Sequence, residues 1–356
     1  MAVLQLRNHI PIGSPARREP VTGDEPVLRV SPGFEPEWYA ARCGADFSES
    51  WHLDPRVRCE SRRRMKAELN RAFPECDYWD AANGAEFAGL SGCFGIGVIP
   101  SVFGMPLRFH SHRWPELEPG HLLDDRQVEG LNVDRLLDGP FVDALFRQMD
   151  VIQREWGQVR GYLNWQGVLN NAFHLRGQQL FVDLAESPEL ADHLLSVVAG
   201  VMIKLAAMVQ ARQRASGFDV DEFCVSNCTV NMISPRMYTR YVAPHDARIA
   251  QVFAHFGVHT CNWDVTPYAG ELAKLPRVGY IDMGMQSNFA RVKEALPHAR
   301  RAVLYTVSRL SEATAAELRA DIDRLRNELA PCDLVLADLP LSLPDSRFRE
   351  FLALAR

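Results

Sequence analysis

Through the second half of the chain, short apolar runs alternate with stretches in which apolar residues recur every three or four positions. A helix predicted over 141–156 leads into a short strand at 161–165. A long helix follows over 188–215, with Ser187 placed to cap it and Pro188 in its first turn. Strands at 222–226, 257–261, 278–283, 301–306 and 333–337 then take turns with helices at 235–256, 268–275, 288–296, 314–329 and 344–354. In the helix at 314–329, Thr314 and Glu317 form a capping box, and Leu318, Ile322, Leu325 and Leu329 share one face. Pro244 must kink or divide the helix at 235–256.

The first half is less regular. Residues 1–35 are rich in Pro, Gly and charge and read as an irregular arm. A helix over 60–73 carries Met65, Leu69 and Phe73. The Gly-rich stretch 89–106 reads as strand and loop, and 107–135 as a Pro-rich loop containing His110 and His112.

Single strands alternating with single helices call for parallel strands joined by right-handed crossovers. A barrel and an open doubly wound sheet both satisfy this. No GxGxxG or GxxxxGK[ST] follows any strand, which weakens the nucleotide-binding open sheet. The expected fold is therefore α/β, a single (β/α)8 TIM barrel over 76–356, preceded over 1–75 by an irregular arm and helical extension.

In such a barrel the active-site groups project from the C-terminal ends of the strands. Those ends carry Asn164-Trp165-Gln166, Ser226-Asn227-Cys228, His259-Thr260-Cys261-Asn262, Asp282-Met283, Thr306 and Asp338. Side chains two apart on a strand face the same way, so His259 and Cys261 can converge on one ion. Zn²⁺ accepts both imidazole and thiolate. A buried cysteine beside a hydrogen-bonded histidine in the barrel lining is the competing reading of the same spacing. Asp282, Asp338 and, more distantly, Cys228 and Cys332 supply further ligand types. Asp282 is read either as a catalytic acid/base, as a fourth ligand or as an ordinary loop carboxylate. Trp165, Gln166 and Trp263 are expected to line the pocket, with capping of the core as the alternative for Trp165. His110 and His112 read as a surface loop or a pocket cover.

Of the 356 residues 47% are hydrophobic and 24% charged, with a formal net charge of −6. That acidic balance gives no support to nucleic-acid binding through a basic surface. The eight cysteines form no CxxC pair and no dense disulfide ladder. No signal-peptide core is seen, and the most apolar helical stretch, 194–209, is interrupted by Gly200 and Lys204. A cytoplasmic protein with reduced thiols and no membrane association is expected.

Several separated motifs resemble the uroporphyrinogen decarboxylase superfamily. They are the HxC strand, the helix start Ile233-Ser234-Pro235-x-x-Tyr238, the run Tyr241-Val242-Ala243-Pro244, Gly177, the segment from Leu184 through Ser187-Pro188-Glu189-Leu190, and Leu343-Pro344. Trp79-Asp80 and Glu86 resemble the early strand region. The resemblance spans 75–356 and is strongest over 160–345. It implies a (β/α)8 barrel. The Arg-Gln-Ala-Gly-Arg-Tyr type motif of the porphyrinogen decarboxylases is absent, so the resemblance leans to the methyltransferase branch. There, His-x-Cys and a distant Cys hold a zinc ion that activates a thiol to accept a methyl group from a corrinoid. His259 and Cys261 match the first two ligands. Asp338 stands in place of the third, giving His259, Cys261 and Asp338 as the implied metal set. Asn227 and Cys228 fall where relatives place a substrate-facing polar residue; Cys228 also reads as a ligand, a nucleophile or a small buried residue. No corrinoid-binding Asp-x-His-x-x-Gly segment occurs, so a corrinoid would arrive on a partner protein. Methyl transfer on a small-molecule substrate is the leading expectation. The alternatives are a lyase or decarboxylase using Asp282 or Asp338 as acid/base, and a catalytically lapsed barrel acting as a binding protein. The sequence leaves open a homodimer.

Overall fold

The computed structural model describes residues 4–5, 25–77 and 84–356. Trp79 and Asp80 lie outside them. At its centre is a six-stranded, all-parallel sheet. Its strands are β1 (Leu28–Phe34), β2 (Glu222–Ser226), β3 (His255–His259), β4 (Val278–Met283), β5 (Arg300–Leu304) and β6 (Cys332–Leu339), in the spatial order β1-β6-β5-β4-β3-β2. The register runs unbroken from Glu222 opposite His255 to Ser226 opposite His259, so β2 and β3 end level with each other. The helices include α1 (Pro36–Cys43), α2 (Pro55–Ala72), α3 (Pro140–Trp156), α4 (Val168–Arg176), α5 (Pro188–Ala215), α6 (Ala243–Val252), α7 (Phe289–Ala295), α8 (Ala315–Glu328) and α9 (Asp345–Ala355). Between β2 and β6 each strand is followed by helical structure, as the alternating pattern requires.

Three sequence expectations change. Residues 28–34, read as part of an irregular arm, form β1 and pair with β6 from Leu28–Cys332 to Phe34–Leu339. Pro32 and Gly33 hid this strand. Proline is tolerated because, among the described residues, β1 forms a ladder on one side only, with β6. The segment 161–165 joins no ladder among the described residues. The Gly161 backbone has φ +95°, and a Cβ there would meet the Leu90 and Ser91 nitrogens at 2.7 Å. Its carbonyl is taken by the Gln213 side chain at 2.7 Å, while Arg160 O accepts from Leu90 N–H at 2.8 Å. The strand expected at 257–261 ends at His259, and Cys261 lies beyond it in a left-handed turn with φ +59°.

Helix α5 corrects a fourth expectation. Despite Gly200 and Lys204 it is long and apolar enough to cross a membrane, yet 67% of its most apolar window is buried within the protein. Leu194, Val198, Met202, Leu205 and Val209 are all buried, and α5 serves as a central core helix. Pro244 divides the helix at 235–256 as expected: a π-helical turn over Tyr238–Val242 precedes α6, which takes the proline in its first turn. At the N-terminal end of the sheet, Arg300 is wholly buried and paired with Asp333 at 2.7 Å. Arg29 also reaches Asp333 at 2.7 Å. These ion pairs tie β1, β5 and β6 together at the end opposite the candidate site. Cys332 begins β6 and so belongs to that opposite end.

Candidate metal centre

Beyond β2, Asn227 extends the ladder by one bond, its N–H donating to His259 O at 2.7 Å. The chain then turns tightly over Cys228–Met232, which aims the Cys228 thiol back across the strand ends. On the neighbouring strand, Thr260 is pinned from two sides. Its N–H donates to Asp282 Oδ1 at 2.6 Å and its hydroxyl to the Asp282 carbonyl at 2.5 Å. Thr260 being fixed, the left-handed Cys261 swings its thiol back to 3.1 Å from His259 Nε2 and 3.0 Å from Cys228 Sγ. A non-glycine residue at positive φ costs energy and persists only where its surroundings hold it there. Strand alternation is therefore not what brings His259 and Cys261 together; the turn after the strand does.

The ligand atoms of Cys228, His259 and Cys261 all lie within 4.8 Å of one another. Asp282 stands behind them. Its Oδ2 lies 2.5 Å from His259 Nδ1 and accepts from Tyr280 Oη at 3.0 Å, and its Oδ1 is spent on Thr260 N–H. The Asp282 side chain is 3% exposed against 20% for His259. The carboxylate thus faces inward and fixes the ring, and Nε2 is the nitrogen turned to the two sulfurs. A second-shell carboxylate of this kind orients a metal-binding histidine and raises its basicity.

Burial works against a charge on His259, but Asp282 and the two thiols outweigh it and lift its pKa well above the usual value. The hydrogen bond from Cys261 pulls the Cys228 thiol well below its ordinary range, while the same bond, with burial, drives Cys261 up. Tetrahedral zinc with sulfur and nitrogen donors separates its ligand atoms by about 3.5–3.8 Å, roughly 0.4–0.8 Å more than the 3.1 Å and 3.0 Å contacts here. The donor set and its spacing fit such an ion with slight opening.

Asp338 does not join this group. It occupies a left-handed position, φ +61°, at the same end of the sheet and within electrostatic reach of His259 and Cys228, but its carboxyl is turned to Glu35. Burial and then the neighbouring Asp338 push Glu35 up to about 8; burial also raises Asp338. Two carboxyls in contact cannot both ionise cheaply, so they hold a proton between them. Glu35 follows β1, within the stretch whose sequence reads as an irregular arm, so its place at the site is not legible there. The Glu-Pro step at a helix start was its only trace.

The remaining candidates mostly belong to the scaffold. Trp165 stacks on Phe223 with centroids 5.8 Å apart, and Trp263 packs edge-on against Tyr268 at 5.1 Å. Asn227 is buried and donates to Asp246 Oδ2 at 2.8 Å, a carboxylate that burial pushes to about 7. Gln166, left-handed at φ +54°, sits in an amide chain: its Nε2 donates to Asn164 Oδ1 at 3.0 Å, and its Oε1 accepts from Asn170 Nδ2 at 2.9 Å. Asn170 Oδ1 in turn accepts from Thr229 N–H at 2.9 Å and its side chain steadies Cys228. This support from α4 was not foreseen. Nor was His174 on the same helix, which burial keeps neutral within electrostatic reach of Cys228. His110 and His112 stay outside the group, His110 3.5 Å from Glu116 and His112 3.2 Å from Ser111 Oγ.

No family model and no curated protein matches the sequence. Among solved structures, a methyltransferase from Methanosarcina mazei is similar with a TM-score of 0.65 at 13% identity over 94% of each chain. A B12-independent methionine synthase from Shewanella sp. W3-18-1 aligns over 93% of this chain and 96% of its own at 10% identity and a TM-score of 0.45, too distant to carry an argument. The first likeness is one of fold.

Proposed function

We propose that this chain is a zinc-dependent methyltransferase on a (β/α)8 barrel, transferring a methyl group to or from a small thiol. The convergence of Cys228, His259 and Cys261 within 4.8 Å carries this reading. In it, the segments 89–91 and 158–167, hydrogen-bonded to each other, stand as the two staves between β1 and β2. Cys228, in place of Asp338, is the third ligand, and the fourth position is left for substrate. Zinc, when bound, would keep a thiol deprotonated and nucleophilic at neutral pH. The chain's own residues supply the rest. Asp282 holds His259 Nδ1, so that Nε2 is presented without a search among rotamers. Asn170 and the amides behind it hold Cys228. The shared proton of Glu35 and Asp338 lies where it can meet a substrate carboxylate or heteroatom. The methyl donor in this reading is a corrinoid carried by a separate protein. The proton held by Glu35 and Asp338 also favours a second reading, a lyase on a small carboxylated substrate, in which that pair is the acid/base.

Elemental analysis of protein prepared without chelator tests the ligand set. About one zinc per chain is expected in wild type and in Asp338→Asn, with loss in His259→Ala, Cys261→Ser and Cys228→Ser. Zinc kept by Cys228→Ser and lost by Asp338→Asn would restore the set implied by the resemblance. The same sub-stoichiometric zinc in every form would remove the metal reading. A methylated corrinoid offered with a small thiol, and its product followed by mass, separates methyl transfer from the lyase reading.

A further inference from the structure

We propose that Cys228 and Cys261 are also a redox couple: two-electron oxidation joins them in a disulfide that closes the candidate metal centre, and reduction reopens it. The blocking of metal rests on the reading above; the couple itself rests on the sulfur contact.

The two Sγ atoms are 3.0 Å apart, and a disulfide needs about 2.05 Å, so roughly 1 Å of approach is required. Both residues lie past the ends of their strands, Cys228 opening a short turn and Cys261 in a left-handed one, so that approach breaks no ladder hydrogen bond. Both are half-buried at an end where His259 keeps 20% of its side chain exposed, which lets a small oxidant in. Cys59, Cys76, Cys93 and Cys332 are buried.

With a peroxide as co-reactant the chemistry balances. One thiol attacks a peroxide oxygen and becomes a sulfenic acid, the other oxygen leaving as water or alcohol. The second thiol then attacks that sulfur, the S–S bond forms, and water departs. Two thiols have lost two hydrogens and two electrons, and the peroxide has gained them. A dithiol reductant reverses the step by exchange. Both sulfur donors of the centre are consumed, so only His259 is left to bind metal.

The test uses the full chain, chelator-stripped or zinc-loaded, treated with hydrogen peroxide. Free thiols are counted after denaturation and linked peptides mapped by mass. Stripped protein is expected to lose two of its eight thiols, to yield a Cys228–Cys261 peptide pair, and to refuse zinc until treated with dithiothreitol. Zinc-loaded protein is expected to react about tenfold more slowly, its thiolates being engaged. Cys228→Ser and Cys261→Ser should each abolish the link, and Cys224→Ser should keep it. A stripped protein with native circular dichroism that forms no such pair, links other cysteines or only over-oxidises single thiols overturns the couple, even if wild type holds zinc. A link formed in a protein that never binds zinc upholds the couple while the metal reading falls.

Discussion

At His259 the two ring nitrogens have separate tasks, and the division is made by one neighbour. Asp282 takes Nδ1 at 2.5 Å, which leaves Nε2 to the sulfurs. His52 shows the opposite use of the same residue type. It is fully buried, its Nδ1 accepts from Phe94 N–H at 3.0 Å, and burial, helped by Arg58, lowers its pKa to about 3. An unfolded histidine titrates near 6.5, so between about 3 and 6.5 the unfolded chain binds more protons than the folded one. The contribution of neutral His52 is therefore complete above about pH 6.5 and is lost as the pH falls toward 3. In His52→Asn, whose side-chain oxygen can accept the same N–H, stability should fall less between about pH 7 and about pH 4.5 than in wild type. Urea unfolding at the two pH values measures it; parallel losses in both proteins would mean that His52 is not the acid-sensitive group.

Among elements, α4 depends on a close approach. Gly167 precedes it, and a Cβ there would meet Asn227 Oδ1 at 2.4 Å and the Ser226 carbonyl oxygen at 2.5 Å. The φ of Gly167 is −102°, which any residue adopts, so it is space and not backbone freedom that requires glycine. Backbone atoms cannot swing aside as a flexible side chain does. Gly167→Ala should therefore push α4 off the end of β2, costing about 1–3 kcal/mol in denaturant titration. The shift passes to Cys228 through Asn170 and Thr229, so zinc retention should weaken as well. An unchanged midpoint and unchanged zinc would show that the approach is looser than these distances.

For the whole molecule, the two ends of the sheet have different duties. The N-terminal end is locked by Arg300, Asp333 and Arg29. The C-terminal end gathers residues from chain positions 35 to 338, and three of them carry left-handed backbone: Gln166, Cys261 and Asp338. A metal held there by the folded state alone adds stability by mass action. At free zinc a thousandfold above its dissociation constant the gain is about 4 kcal/mol, or a melting temperature about 5 °C higher for a chain of this size. Thermal unfolding with zinc and with chelator checks this. A melting temperature indifferent to both, in wild type and Cys228→Ser alike, would count against the centre.

Sequence by itself determined the parallel α/β arrangement from β2 onward, because the periods of strand and helix are local and each element's apolar face is written in its own residues. It also placed His259, Cys261, Asp282 and Asp338 at one end of the sheet, since the common direction of the strands follows from alternation. It did not reveal β1, whose Pro32 and Gly33 look like breakers until the strand is seen at the end of the sheet. Nor could it choose the third member of the site. Cys228 follows its strand, Asp338 sits at the irregular, left-handed end of β6, and both suit a metal; what separates them is where each side chain turns. That depends on contacts far away in the chain: Glu35 drawing off Asp338, Asn170 steadying Cys228, and Asp282 pinning Thr260 so that Cys261 turns back. Such contacts have no period in the sequence, because they join residues whose separation along the chain is set by the fold itself.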